Sequence, residues 1–358
     1  MKLKLQSLNI MNELKLTALA ASTLLLLAGC SQKSEESSPA SSSSETRVLI
    51  NGAGSSFDNP AFMLWKDAYA KVDPNMQFNY QSVGSGAGKK QLLSETVDFG
   101  ASDAPMSDEE MGDKKILHIP VVAGAVVLTY NLPGNPTLKF DPETLSDIFM
   151  GKITKWNDPK LVALNPDSNL PDTAIVVVHR SDGSGTTFIF TDYLSAVSPD
   201  WSSKVGKSTT VSWPVGLGGK GNEGVAGQIK QLPGAIGYVE LAYAKENKLP
   251  VADLKNAAGK FITPSPESVS KAMATANIPE DFRFSMVNAP GAEAYPIAGA
   301  SWILIYQHLD KPETGKKLVE FLKWAVTEGQ KLSPKLDYAP LPDNVQQREL
   351  KLLDTVTY

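Results

Sequence analysis

Three times along this chain an apolar run ends in a short stretch of glycines and hydroxyl residues that opens a helical pattern, and this repeated unit restricts the fold more than any other feature. The clearest copy is Arg180-Ser181-Asp182-Gly183-Ser184-Gly185-Thr186-Thr187. It stands between a β-branched strand over 173–178 and a helix over 188–197 in which Phe188, Ile189, Tyr193 and Val197 recur near helical spacing. A second runs from Val48-Leu49-Ile50 through Gly52-Ala53-Gly54-Ser55-Ser56-Phe57 into a helix entered at Pro60, with Phe62, Trp65, Ala68 and Tyr69 on one face. The third joins a strand over 76–83 to a helix over 89–95 through Gly84-Ser85-Gly86-Ala87-Gly88. At such a junction the first N–H groups of the helix lack intrahelical partners and the helix dipole is positive. Glycines let the backbone come close, Ser184, Thr186 and Thr187 add donors, and the Arg180 guanidinium can hold two oxygens at once. The pattern suits an anion. Alternating strands and helices predict an α/β fold with parallel sheets, whose ligands sit at the carboxyl ends of the strands, where all three loops lie.

Two long apolar runs, 116–132 and 294–306, each contain Ala-Gly-Ala and read as central strands. They are natural crossings for a domain inserted into another, giving lobe 1 as 47–123 and 299–358 and lobe 2 as 124–298. A ligand gripped by all three loops then lies in the cleft between lobes. Between the runs come a helix starting at Asp141-Pro142 and ending at Gly151, a Gly-rich loop over 216–227, and a strand over 236–239 leading into a helix. Upstream, a strand over 97–102 ends at Asp103. Ser107 and Glu110 form a capping box for the next helix, which leaves Asp103 without a capping role. After 306 the chain is helical, with Leu318, Phe321, Leu322 and Val326 on one face.

Residues 1–29 read as an export signal: Lys2, Lys4 and Lys15 precede the apolar run 16–28, which is too short for a comfortable membrane span. Met11 is an alternative start. Leu27-Ala28-Gly29-Cys30 is similar to the bacterial lipobox, in which the cysteine sulfur takes a diacylglycerol and becomes the new N-terminus. Residues 30–46 are then a lipidated end and a tether too rich in serine to bury a core. Such a chain is held at a membrane surface by its acyl groups, in the periplasm or at the cell surface.

Formal net charge is −5, and the signal carries three lysines against one glutamate, so the remainder is more acidic still. That balance argues against nucleic acid or anionic lipid as a bulk partner. Cys30 is the sole cysteine, so neither an internal disulfide nor a cysteine-based metal site is possible. His118, His179 and His308 are scattered without metal-ligand spacing; His118 and His308 are expected as packed structural residues and His179 as a solvated neighbour of the loop. Neither Gly84–Lys90 nor Gly218–Gly221 has P-loop spacing, because Val83 and Pro214 stand where the first glycine is required. Trp156 is expected as a packed anchor. No cofactor or metal is expected.

Taken together, the motifs Gly52–Phe57, Val97-Asp98-Phe99-Gly100-Ala101-Ser102-Asp103-Ala104-Pro105, Gly151-Lys152-Ile153-Thr154-Lys155-Trp156, Arg180–Thr186, Gly216-Leu217-Gly218-Gly219-Lys220-Gly221-Asn222 and Pro233-Gly234-Ala235-Ile236-Gly237-Tyr238-Val239-Glu240 closely resemble the phosphate-binding proteins of bacterial ABC phosphate importers. These belong to the periplasmic binding proteins, and the resemblance spans essentially all of 47–358. It implies a two-lobed type II fold, each lobe a mostly parallel sheet flanked by helices. It implies a monomer that hands phosphate to a membrane permease, without enzymatic activity. It also implies a phosphate held by Ser56, Phe57, Ser85, Asp103, Arg180, Ser184, Gly185 and Thr186, with Asp182 orienting the arginine. Ser56 stands where threonine is common, and Gly84–Gly88 replaces a more usual Gly-Ser-Ser-Gly-Gly; both keep the donors.

Backbone N–H groups, hydroxyls and one arginine would hold sulfate as well. Asp103 separates the two ions: near neutral pH phosphate keeps a proton to donate to a carboxylate, whereas sulfate has none and meets it with like charge. Two other readings share parts of this sequence. A phosphate-ester hydrolase would use Ser184 as nucleophile, with only Asp182 near it as a base. A scavenging or signalling lipoprotein would share the binding chemistry and lack a permease.

Overall fold

The structure is a computed structural model and describes residues 47–358; the expected signal, Cys30 and the tether lie outside the described residues. Eight strands form one mixed sheet: β1 (Val48–Gly54), β2 (Met76–Ser82), β3 (Phe99–Ser102), β4 (Ile116–Tyr130), β5 (Val176–Arg180), β6 (Leu217–Gly219), β7 (Ala235–Glu240) and β8 (Ala298–Tyr306). Their spatial order is β2-β1-β3-β8-β4-β7-β5-β6. Lys139–Phe140, Asp253–Lys255 and Phe261–Ile262 make a separate small sheet.

β4 is the seam. Up to Ala125 it pairs with β8, and from Val126 onward with β7, so the sheet has two halves that share one strand. All of β4 except Leu117 is buried, as its unbroken apolar sequence requires of a strand covered on both faces. The flanks are parallel: β1 pairs with β2 and β3, and β5 with β6 and β7. The pairs at the centre are antiparallel. The reason is connectivity. β8 re-enters the first half beside the point where β4 left it, and so must run the opposite way.

The helices that place the site are α1 (Asn59–Tyr69), α2 (Ser85–Leu93), α3 (Gly185–Val197), α4 (Gly221–Gln231), α5 (Leu241–Glu246), α6 (Pro312–Ala325) and α7 (Asp343–Leu353). Two of them begin earlier than the sequence pattern suggests, so most of Gly84–Gly88 is the first turn of α2, and Gly185, Thr186 and Thr187 are the first turn of α3. A Cβ on Gly88 would lie 2.4 Å from the Gly54 Cα. The glycine therefore lets α2 rest backbone to backbone on the end of β1. The expected Gly-rich loop over 216–227 is instead β6 and the first half of α4, because Val225, Ala226 and Ile229 are buried beneath it. Packing outweighs the poor helix propensity of glycine there.

The core bears out the aromatic faces. Phe62 packs edge-on against Tyr80 at 4.6 Å in the first half, and Phe190 stacks on Tyr238 at 4.3 Å in the second. Leu318, Phe321, Leu322 and Val326 are all buried. The Ser107–Glu110 capping box forms, and Asp141 caps Pro142–Phe149. Trp156 is buried with its indole N–H donating to the Gly234 carbonyl at 2.9 Å. His118 is buried and accepts the Met106 N–H at 2.9 Å, and burial pushes its pKa down to about 4, consistent with a neutral acceptor. His308 departs from expectation: it follows the end of β8, is exposed, and meets Thr357 Oγ1 at 2.9 Å. His179 is half-buried and stacks on Trp213 at 4.7 Å instead of standing in solvent.

Candidate anion-binding site

The carboxyl ends of β1, β2, β3 and β5 converge, with the start of α4 against them, and the residues singled out from the sequence meet there. Ser56 and Phe57 follow β1, Ser85 opens α2, Asp103 follows β3, Arg180 ends β5, and Ser184 is the N-cap of α3. Ser56, Phe57, Ser85, Asp103, Arg180, Ser184 and Thr186 are each at most 4% exposed. The two halves touch directly: Gly86 N–H donates to Gly183 O at 2.8 Å, and Gly185 N–H donates to Ser85 Oγ at 3.0 Å. A Cβ on Gly185 would lie 2.6 Å from Asp103 Cβ, so only glycine permits this approach.

The hydroxyls are set as donors. Ser56 Oγ accepts the Asn222 backbone N–H at 3.1 Å and its Nδ2–H at 2.9 Å. Ser85 Oγ accepts from Asp103 N–H at 3.3 Å and Gly185 N–H at 3.0 Å, and Ser184 Oγ accepts Thr187 N–H at 3.0 Å. A hydroxyl whose lone pairs are engaged has only its hydrogen to offer. Ser184 also sits at the start of α3, and Ser85 at the start of α2, where the helix dipole favours a negative guest. Among the described residues no hydrogen bond engages the Ser56 or Thr186 N–H.

Charge is arranged in two ways. Asp182 takes Arg180 as a fork, Nε to Oδ1 at 2.8 Å and Nη2 to Oδ2 at 2.6 Å, and also accepts Gly221 N–H at 3.1 Å. Burial would raise the Asp182 pKa, but the bonds to Arg180 prevail and hold it below the usual carboxylate range. The remaining Arg180 nitrogen, Nη1, reaches Thr186 Oγ1 at 3.3 Å. Among the described residues no ion pair joins Asp103 to a cation. Burial pushes it up to about 6, opposed by hydrogen bonds from Ser55, Ser301 and Thr186 and by the field of Arg180. Since Asp182 cancels the arginine, Asp103 stands as an acceptor among donors.

A PBP superfamily domain matches residues 35–328. The chain is 47% identical over 303 residues to the phosphate-binding protein PstS of Pasteurella multocida, covering 84% of this chain and 88% of that one. It is 38% identical over 364 residues to the phosphate-binding protein PstS of Methanocaldococcus jannaschii, covering 93% and 92%. The chain belongs to the PstS family. Solved structures share the fold of this chain at lower identity. A phosphate-binding protein from Stenotrophomonas maltophilia superposes with a TM-score of 0.64 at 20% identity over 85% of this chain and 93% of that one. The high-affinity periplasmic phosphate-binding protein PfluDING, solved with phosphate bound, gives 0.67 at 20% identity over 83% and 92%.

Several further residues of the site were not singled out from the sequence. Tyr243 and Tyr338 donate to the Ser56 and Phe57 carbonyls at 2.6 and 2.5 Å, fixing the peptide planes of the β1 loop. Ser55 Oγ accepts the Phe57 N–H at 2.9 Å. Asn222 joins Ser56 to Thr186 Oγ1, the latter at 3.2 Å. Of these, Ser55 and Asn222 lay in motifs quoted for the resemblance; Tyr338 stands 281 residues from its partner, a separation no local pattern encodes.

Proposed function

We propose that this chain binds inorganic phosphate outside the cytoplasmic membrane and delivers it to an ABC permease for import. The observation that carries the reading is the charge balance of the site: Arg180 is already neutralised by Asp182, while Asp103 remains as a lone acceptor within a ring of donors. An anion entering that ring must bring a proton, and phosphate does so near neutral pH. Its oxygens would take the hydroxyls of Ser56, Ser85 and Ser184, the backbone N–H groups of Ser56 and Thr186, and the free edge of Arg180, and would draw the Phe57 N–H, the Gly185 N–H and the Thr186 hydroxyl from their present partners Ser55, Ser85 and Asp103. Its proton would go to Asp103. Asp182 orients the guanidinium.

In this reading 47–123 with 299–358, and 124–298, are lobes that close on the ligand, with β4 and β8 as the crossings. Cys30 carries the lipid that keeps the monomeric protein at the membrane. The hydrolase with Ser184 as nucleophile and Asp182 as base is disfavoured because the Ser184 hydroxyl caps α3 and both Asp182 oxygens are taken by Arg180. A ligand bound only by the folded state raises the melting temperature. Phosphate should do so, and equimolar sulfate should not. Arg180→Ala should weaken phosphate binding about a hundredfold by calorimetry, as loss of a charge-assisted two-point contact predicts; unchanged affinity would remove Arg180 from the site.

A further inference from the structure

Behind Asp103, on the side away from Arg180, stands a second buried carboxyl that the site as described does not use. Asp58 is the N-cap residue of α1, yet its side chain caps no N–H of that helix. It is fully buried and lies 2.7 Å, through Oδ2, from the hydroxyl of Ser301 on β8. The same hydroxyl lies 2.9 Å from Asp103 Oδ1. A serine hydroxyl has one hydrogen. It cannot donate to two carboxylates, so one of the two acids must be the donor in this chain of three.

The surroundings decide which. Asp103 accepts from Ser55 and Thr186 and feels Arg180. Asp58 is faced by Tyr80 of β2 at 3.3 Å, by Asp103, and by the phenols of Tyr243 and Tyr338. No ion pair joins it to a lysine or arginine among the described residues. Burial and then the charge of Asp103 push its pKa well up. The proton therefore rests on Asp58, which donates to Ser301 Oγ, which donates to Asp103.

We propose that Asp58 is a specificity-setting positioning residue of the anion site: its proton turns the Ser301 hydroxyl toward Asp103 and so keeps Asp103 an acceptor on the ligand side. Were the chain reversed, Asp103 would spend its proton on Ser301 and stand neutral, so an ion with no proton of its own would no longer meet like charge there. The inference rests on the phosphate reading above.

The test uses the full chain, and titrates phosphate and sulfate across pH by calorimetry. Asp58→Asn, whose amide can donate to Ser301 as the acid does, should keep phosphate affinity within about threefold at neutral pH and keep sulfate excluded. It should also flatten the alkaline fall in affinity, because the second ionisation of the pair is gone. Ser301→Ala should lose about tenfold in the phosphate-to-sulfate ratio, the worth of one hydrogen bond to a charged group. Infrared difference spectra of parent against Asp58→Asn should show a protonated-acid carbonyl band lost in the variant. Three results would overturn the proposal: sulfate binding by Asp58→Asn, an unchanged ratio in Ser301→Ala, or no such band. Failure of the parent to bind phosphate would instead defeat the phosphate reading itself.

Discussion

Asp182 and Asp103 flank the same site, and nothing about an aspartate in isolation tells them apart. Asp182 is forked onto Arg180 and stays ionised below the usual carboxylate range. The Asp103 carboxyl takes the hydroxyls of Ser55, Ser301 and Thr186, and burial brings it up to about 6. The first carboxylate cancels a charge, and the second leaves one for the guest to answer. On the function proposed above, selectivity comes from the acid without a cation beside it, because like-charge repulsion in a buried site rejects the wrong ion more strongly than extra donors favour the right one.

The sharpest way to break the comparison is to remove the acid that cancels charge. Asp182→Ala strands a guanidinium that is 1% exposed, and breaking such a buried pair should cost about 3–5 kcal/mol of stability by denaturant titration. Asp103→Asn should do the opposite: it should leave the fold stable and cut sulfate discrimination by about tenfold or more, with a smaller loss in phosphate affinity. Calorimetry with both ions checks this, and equal discrimination would remove Asp103 from its role. The same variant has a pH signature without ligand. A carboxyl raised to about 6 in the folded state binds its proton more tightly than when unfolded, so its contribution to stability is full below about 4 and lost as pH rises through about 6. Asp103→Asn should flatten that part of a melting-temperature profile.

Gly185→Ala probes the closeness of the two halves. The added methyl would meet Asp103 Cβ at 2.6 Å, so phosphate affinity should fall about tenfold while the ligand-free melting temperature moves less, since overpacking strain falls on the closed contact. The smallest effect is expected at a third kind of acid. Glu349 on α7 is buried with both carboxyl oxygens unbonded among the described residues, and burial raises its pKa well above the usual range. Its stabilising protonated form is lost as pH rises through the folded value. Glu349→Gln should add about 1 kcal/mol at neutral and alkaline pH and nothing near pH 4.

Much of the site was legible because its parts are local. Ser184-Gly185-Thr186 opens a helix, Gly84-Ser85 another, and Asp103 was left over once Ser107 was seen to cap. The seam was less so: the apolar runs predicted β4 and β8, yet not their antiparallel pairing, nor that the glycines over 216–227 would be strand and helix. His308 was misplaced since an apolar neighbourhood in sequence says nothing about where a strand ends.

The order of residues alone determined the alternation of strands and helices, the three donor-bearing junctions and the acid after β3, because each is a relation between neighbours a few positions apart. Tertiary structure alone decided that Asp58, Ser301 and Asp103 share one hydroxyl, that Tyr243 and Tyr338 fix the β1 loop, and that Asn222 bridges the two halves. Those contacts join residues far apart in the chain, and hydrogen-bond partners at such separations are chosen by packing and burial, which no short stretch of sequence contains.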